Sequence, residues 1–444
     1  MTVKRLLSID GGGIRGIIAA EILVQMEDAL KAHNPKWQRL SDYFDFISGT
    51  STGSIIAAGL ATGMPARDIL KIYKTQGPTI FTKAKPPESF EEIPGWTELE
   101  QKLPQGLVSV VKHVWWPGKQ KHVKQILSFV AENLLTKYTG AELEKELQHV
   151  LRNERGDIIT LGSSDLKTNL MIVTNNVTRG QNWFFVNNTV KGEYKKKSES
   201  LHLNADIPLW KIVRSSSAAP TFFPPFSFKV KVPKNPYSQE FTEQECEFID
   251  GGVGPYNNSS FQLFLEAVHP KYGTDWDSGV DKILLVSVGT GYGYADIEFG
   301  EAEKKNNAQW AGYVVNDLMF EANLQQNQIL KLISKQKKLK ESANLLENGD
   351  GFKIVPTQQE LLTYCRFTIS FTVERFKALA EKGLLKDDKG NLIKPDAITK
   401  ELVDKWEKMD CVDQSEYLSS IGRAVAQEQF DISLFKGFLE DEVT

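Results

Sequence analysis

The sequence predicts an α/β fold on a mostly parallel sheet, and three observations predict it. Two units of strand, tight loop and helix fall within the first 61 residues. A nearly continuous apolar run at 282–288 reads as a strand buried on both faces. The candidate strands end in glycine-rich turns, where the chain must reverse sharply before a helix begins.

Residues 4–9 are β-prone and stop at Asp10 and a glycine triplet, after which 17–30 place apolar residues at helical spacing. Residues 43–48 repeat the pattern, followed by Gly49-Thr50-Ser51-Thr52-Gly53 and a helix at 54–61 whose small side chains let it lie close on a sheet. Residues 76–121 break the rhythm with prolines, glycines and three tryptophans, which predicts an insertion or lid over one sheet edge. Within it, 108–124 interleaves Trp115 and Trp116 with lysines and histidines; a segment dipping into a lipid interface and an aromatic pair packed under a loop carry equal weight. Further strands are expected at 169–174, 183–187 and 245–249. Beyond residue 300 the helical period dominates at 306–339 and 374–439, split by a Gly/Asp/Pro-rich passage at 348–356. The expected organisation is a catalytic domain over 1–300 and a helical C-terminal extension over 301–444 packed on it.

Composition narrows the function classes. With 41% hydrophobic and 25% charged residues, the 444-residue chain matches an ordinary globular protein. A formal charge of -4 gives no global attraction to phosphate polymers, so nucleic acid is not an expected partner. Cys246, Cys365 and Cys411 are far apart and odd in number, fitting neither a disulfide framework nor a metal knuckle, and a reducing compartment follows as the expectation. The apolar start is broken by Asp10 before it reaches signal length, and no window approaches the ~20 apolar residues of a spanning helix. A cytoplasmic protein that meets membranes peripherally is expected.

Gly49-Thr50-Ser51-Thr52-Gly53 is a G-x-S-x-G string between a predicted strand and a predicted helix, the setting of a nucleophile elbow. Gly49 and Gly53 suit a turn too tight for a Cβ, and the following helix aims its positive end at developing negative charge. A bare string of this kind also arises as a simple helix cap; its placement favours catalysis. A serine needs a base, yet His33, His113, His122, His149, His202 and His269 all sit in helical or loop contexts rather than at glycine-bounded strand ends. Asp250 does stand at such an end, before Gly251-Gly252, and partial desolvation would make its carboxylate a competent base. Taken alone, an Asp-Gly turn is the simpler explanation. Asp10-Gly11-Gly12-Gly13-Ile14-Arg15-Gly16 converges backbone N–H groups at a helix N-terminus, which suits an oxyanion or a phosphate; it matches neither a P-loop nor a dinucleotide fingerprint.

Together, DGGGIRG at 10–16, GTSTG at 49–53 and DGG at 250–252 resemble the patatin-like phospholipase family, whose fold is shared with cytosolic phospholipase A2. SSSAAPTFFPP at 215–225 and ILLVSVGTG at 283–291 add to the likeness, which covers residues 3–292. The resemblance implies a three-layer sandwich and a Ser-Asp dyad: Ser51 attacks an ester carbonyl of a membrane phospholipid, Asp250 takes its proton, and water hydrolyses the acyl-enzyme. It implies no metal or other cofactor. Gly12 and Gly13 match the family's oxyanion amides, and Arg15 the position that meets the lipid phosphate or supports the hole. Asn257 or Asn258 resembles an asparagine that often follows the DGG motif, at longer spacing here. Ser54 departs from the glycine of many relatives, and the insertion is long, which leaves acyl-chain choice open. Activation by a signalling ligand such as a cyclic nucleotide, as in antiviral effectors among bacterial relatives, is a sub-hypothesis. The alternative is a lipid-binding or storage protein that keeps the hydrolase fold with little turnover. A serine peptidase loses ground, because no histidine partner is visible.

Overall fold

The computed structural model describes residues 3–81, 136–187, 204–234, 240–272, 274–293, 297, 299–305, 307–336 and 359–440. The expected insertion lies outside the described residues from position 82 onward, and with it the whole of 108–124.

Strand β1 (Lys4–Ile9) leads through a 3-10 turn, Gly13–Arg15, into α1 (Gly16–His33). A short α2 (Leu40–Tyr43) precedes β2 (Phe46–Thr50), α3 (Thr52–Ala61) and α4 (Ala66–Ile80). The two strand-loop-helix units are therefore present, and β1 and β2 pair in parallel with Ser8 opposite Ser48. Next come α5 (Ala141–Val150), β3 (Asn169–Asn176), β4 (Gln181–Val186), α6 (Leu209–Ser216), β5 (Phe226–Pro233) and β6 (Phe241–Asp250). The chain continues with α7 (Ser260–Val268), β7 (Ile283–Val288), α8 (Asn307–Ile333), β8 (Ser334–Gln336), β9 (Leu362–Phe367), α9 (Val373–Glu381), α10 (Lys400–Glu407) and α11 (Ser415–Gln429).

Among the described residues the strands form one sheet in the order β5-β6-β3-β2-β1-β7-β9-β8, with β4 also on β3. The segment from β3 through β8 is parallel, and β4, β5 and β6 add antiparallel pairings. Alternation along each strand sends side chains to two separate cores. Leu7, Ile9, Ile47, Ile172 and Val286 face one cluster, which takes in buried residues of α1, α3 and α11. Leu6, Phe46, Met171 and Leu285 face the other, shared with Leu263 and Phe264 of α7 and Leu330 of α8. The result is the expected three-layer α/β/α sandwich.

The chain beyond residue 300 departs from a purely helical cap. Strand β9 pairs with β7 and carries β8 on its far side, so this region completes the sheet. The strand LTYCRF lacks a continuous apolar run because Arg366 is neutralised inside the protein by Asp10, and that pairing hid the strand from hydrophobic pattern. The helical part also joins the main core: α11 packs along α1, where a Cβ at Gly422 would stand 2.7 Å from the Glu21 Cβ.

Candidate active site

The site is set by an unusual edge of β3. Strand β4 pairs along one edge from Met171 to Asn176. The opposite edge is shared: β2 covers it as far as Thr50 opposite Val173, and β6, running the other way, begins at Asp250 opposite Thr174. Two strands thus meet end to end at consecutive positions of a third. The register brings the residue after β2, Ser51, beside the last residue of β6, Asp250.

Ser51 has φ 54° and ψ −131°, a left-sided conformation that a serine keeps only when its surroundings impose it. Those surroundings are close: a Cβ at Gly49 would collide with the Gly53 carbonyl oxygen, and one at Gly53 with that of Ile9. The strained peptide is held at both ends. Its N–H donates to Ser216 Oγ at 2.9 Å, and its carbonyl accepts from the Ser54 N–H at 2.9 Å and the Ser54 hydroxyl at 2.5 Å. Ser54 is therefore part of the turn. The Ser51 side chain itself stays half-buried rather than sealed, and α3 starts at the next residue with its positive end toward it.

Asp250 is only 4% exposed. Burial pushes its carboxyl up to about 7, opposed by hydrogen bonding from the Ser51 side chain and from the Gly252 N–H, which lies 2.7 Å away. A carboxylate with that proton affinity can accept a proton near neutral pH and is coupled to the one serine it would have to serve. Of the histidines in the described residues, His33 stacks on Trp37, His149 ends α5 and His269 meets Tyr272 after α7, all elsewhere.

The first glycine loop packs directly on this pair. A Cβ at Gly11 would stand 2.7 Å from the Ser51 Cβ and 2.5 Å from Asn257 Oδ1, so only glycine fits between them. Asn257 is also the asparagine nearest Gly252, whereas Asn258 is fully buried and caps Ser260 through its Oδ1. The Gly12 N–H donates to Thr52 Oγ1 at 3.2 Å, which turns that amide toward the elbow. Gly13 takes φ 61° and packs against the Met409 backbone. Arg15 points to the C-terminal segment, its guanidinium 5.4 Å from the Phe371 ring; its Nε reaches the Gly12 carbonyl at 3.4 Å. Burial lowers the Arg15 pKa, and Glu407 offsets part of that.

Two supports of this loop come from residues that the sequence did not single out. Thr290 donates to the Gly11 carbonyl at 2.6 Å. Arg366 grips Asp10 with contacts of 2.6 and 3.3 Å and also donates to Ser287 Oγ at 2.5 Å. Burial raises the Asp10 pKa and Arg366 opposes that, while burial lowers the Arg366 pKa and Asp10, together with Tyr364 and Tyr292, more than offsets it.

Next to Thr52, the residue after Ser51, opens a cavity with almost wholly apolar walls. Gly13, Thr52 and Ser217 line its end nearest the elbow, and Ile55, Ile72, Ile80, Leu143, Leu147 and Leu151 line the rest, between α3, α4 and α5. Tyr73 closes one side and donates to the Thr52 carbonyl at 2.6 Å. Such a space takes a hydrocarbon chain and offers little to a polar one. Among the described residues no helix is long and apolar enough to cross a membrane.

Comparison with known proteins identifies relatives of this chain. The family model of patatin-like phospholipases matches residues 7–262. Patatin-like protein 1 of Arabidopsis thaliana is 31% identical over 64% of this chain and 58% of its own length. Probable inactive patatin-like protein 9 of the same plant is 26% identical over 65% of this chain and 60% of its length. A cGAMP-activated phospholipase of Vibrio cholerae is 26% identical over 64% of each chain. The chain thus spans about three fifths of the length of these relatives. With the match covering more than half of its residues, this chain belongs to the patatin-like phospholipase family.

Proposed function

We propose that the protein is a serine lipid acyl hydrolase that cleaves carboxylic ester bonds of membrane phospholipids through an acyl-Ser51 intermediate. The observation that carries the reading is the pairing of a strained, half-buried Ser51 with a buried Asp250 whose pKa lies at about 7.

In the reaction, Asp250 takes the Ser51 proton as Oγ attacks the ester carbonyl, and the carbonyl oxygen gains negative charge. The amides of Gly12 and Gly13, with the N-terminus of α3, stabilise that oxygen, the Gly12 N–H exchanging its Thr52 partner for it. Arg15 steadies the loop through the Gly12 carbonyl. Collapse of the tetrahedral species expels the alcohol, which leaves with the proton from Asp250. Water, deprotonated by the same carboxylate, then releases the fatty acid. The apolar cavity next to Thr52 and Gly13 holds the acyl chain and so favours long-chain esters over peptides. The chain works peripherally on the cytoplasmic face of a membrane. A small-molecule activator of the cyclic-nucleotide class is the natural extension, by analogy with the Vibrio cholerae relative.

The test is product analysis by mass spectrometry on mixed phospholipid vesicles, with wild type and Asp250→Asn, with and without cyclic dinucleotides. Free fatty acid released by wild type alone supports the reading. Equal activity with and without cyclic dinucleotide removes the gating extension, and silence of wild type under every condition favours the lipid-binding alternative.

A further inference from the structure

One short stretch at the end of α6 touches both members of the candidate dyad. The Ser51 N–H donates to Ser216 Oγ at 2.9 Å, and that hydroxyl in turn donates a hydrogen bond to the Val173 carbonyl at 2.5 Å. Two residues on, the Ala218 carbonyl accepts the Asp250 N–H at 3.0 Å. Val173 faces Thr50 across the sheet and Thr174 faces Asp250, so Ser216 is fastened to the point of β3 where the two strand ends meet. It is fully buried. The anchor behind it is rigid as well: Arg214, 1% exposed, pairs with Glu144 at 3.1 Å and lies over the rings of Phe223 and Phe226.

The two ends of the Ser51 peptide are not equally supported. Its carbonyl takes the Ser54 N–H and hydroxyl in addition to Ser217 Oγ at 3.2 Å. Its N–H is held by Ser216. A conformation at φ 54° relaxes toward ordinary backbone once such a hold is released, and relaxation would swing Oγ away from the carboxylate.

We propose that Ser216 is a positioning residue: its hydroxyl keeps the Ser51 peptide in the attacking conformation, at the distance from Asp250 that the Ala218 carbonyl fixes from the other side. It sets the rate of acyl transfer without touching substrate, and it rests on the reading that Ser51 is the nucleophile.

The experiment compares wild type, Ser216→Ala, Ser216→Cys and Ser215→Ala as full chains. It measures the second-order rate of fluorophosphonate labelling, kcat and KM on a soluble ester across pH, and the urea midpoint. Ser216→Ala should lose on the order of ten- to a hundredfold in labelling and kcat with KM within about twofold of wild type, because misorientation alone costs that much. Its pH midpoint should move upward, because the Ser51 hydrogen bond that lowers the Asp250 pKa is loosened while the Gly252 contact stays. Ser216→Cys, a weaker acceptor of similar size, should fall between, and it stands in if Ser216→Ala fails to fold. Ser215→Ala, which removes a buried hydroxyl of the same helix that donates to the Ile212 carbonyl, should lose about threefold or less. Wild-type labelling by either Ser216 variant overturns the inference. So do equal losses in Ser216→Ala and Ser215→Ala at matched urea midpoints, which would mean a merely structural role. Failure of wild type itself to label refutes the nucleophile reading, a separate result.

Discussion

Replacing Asp250 by Asn tests function and stability with one substitution, and the two effects should have opposite signs. The carboxyl is 4% exposed, and burial moves its pKa from 3.8 up to about 7. A shift of about 3 units at about 1.4 kcal/mol per unit gives a ceiling of about 4 kcal/mol. The sign follows from proton binding: the folded state holds this proton more tightly than the unfolded chain does. The group's contribution to stability is therefore complete below pH 3.8 and is lost progressively as pH rises to about 7. An amide has no such loss. The stability of Asp250→Asn relative to wild type should thus climb by about 3 kcal/mol between pH 4.5 and pH 8, measured by urea unfolding. Hydrolysis should move the other way: wild-type activity rises with pH through about 7, and above that pH the variant is slower by on the order of 10² to 10⁴-fold. A stability difference that is flat with pH, or a variant retaining half of wild-type turnover, would refute the reasoning.

Other substitutions probe the frame around the pair. Gly53→Ala forces a Cβ to within 2.5 Å of the Asp10 carbonyl oxygen, and should destabilise the fold by about 1–3 kcal/mol in urea unfolding while abolishing labelling. Arg366→Met strands the Asp10 carboxylate, 4% exposed, without its partner; a loss of about 3–5 kcal/mol is expected, largely recovered in the double variant with Asp10→Asn. Leu147→Trp narrows the apolar cavity and should shift released fatty acids toward shorter chains in mass spectrometry, with labelling by a small fluorophosphonate unchanged.

Much of the frame was legible because it is local. Strand β1 matches its expected span of 4–9, and the glycine strings at 10–16, 49–53 and 250–252 mark the three chain reversals that line the site. Each reversal is needed because backbone packs on backbone there, so the signal sits in residue type itself. The antiparallel approach of β6 to β3 was not legible, since the alternation of FTEQECEFID says nothing about which neighbour it pairs with. Arg366 was missed for a similar reason: a lone arginine in a strand declares its partner only when the partner, 356 residues away, is in place. Ser216 was part of a noticed string, SSSAAPTFFPP, whose purpose lay in a contact spanning 165 residues. Residues 76–121 also carried expectations, and from 82 onward they fall outside the described residues.

The end-to-end meeting of β2 and β6 on a single edge of β3 also bears on how the molecule matures. Ser51 leaves the ribosome 199 positions before Asp250, so a growing chain carries its hydroxyl long before any acceptor for its proton exists. The acceptor arrives only when the hairpin of β5 and β6 docks, a late closure over a long stretch of sequence. On the proposed reading, a growing chain gains ester-cleaving capacity only after Asp250 has docked, well after Ser51 has been made.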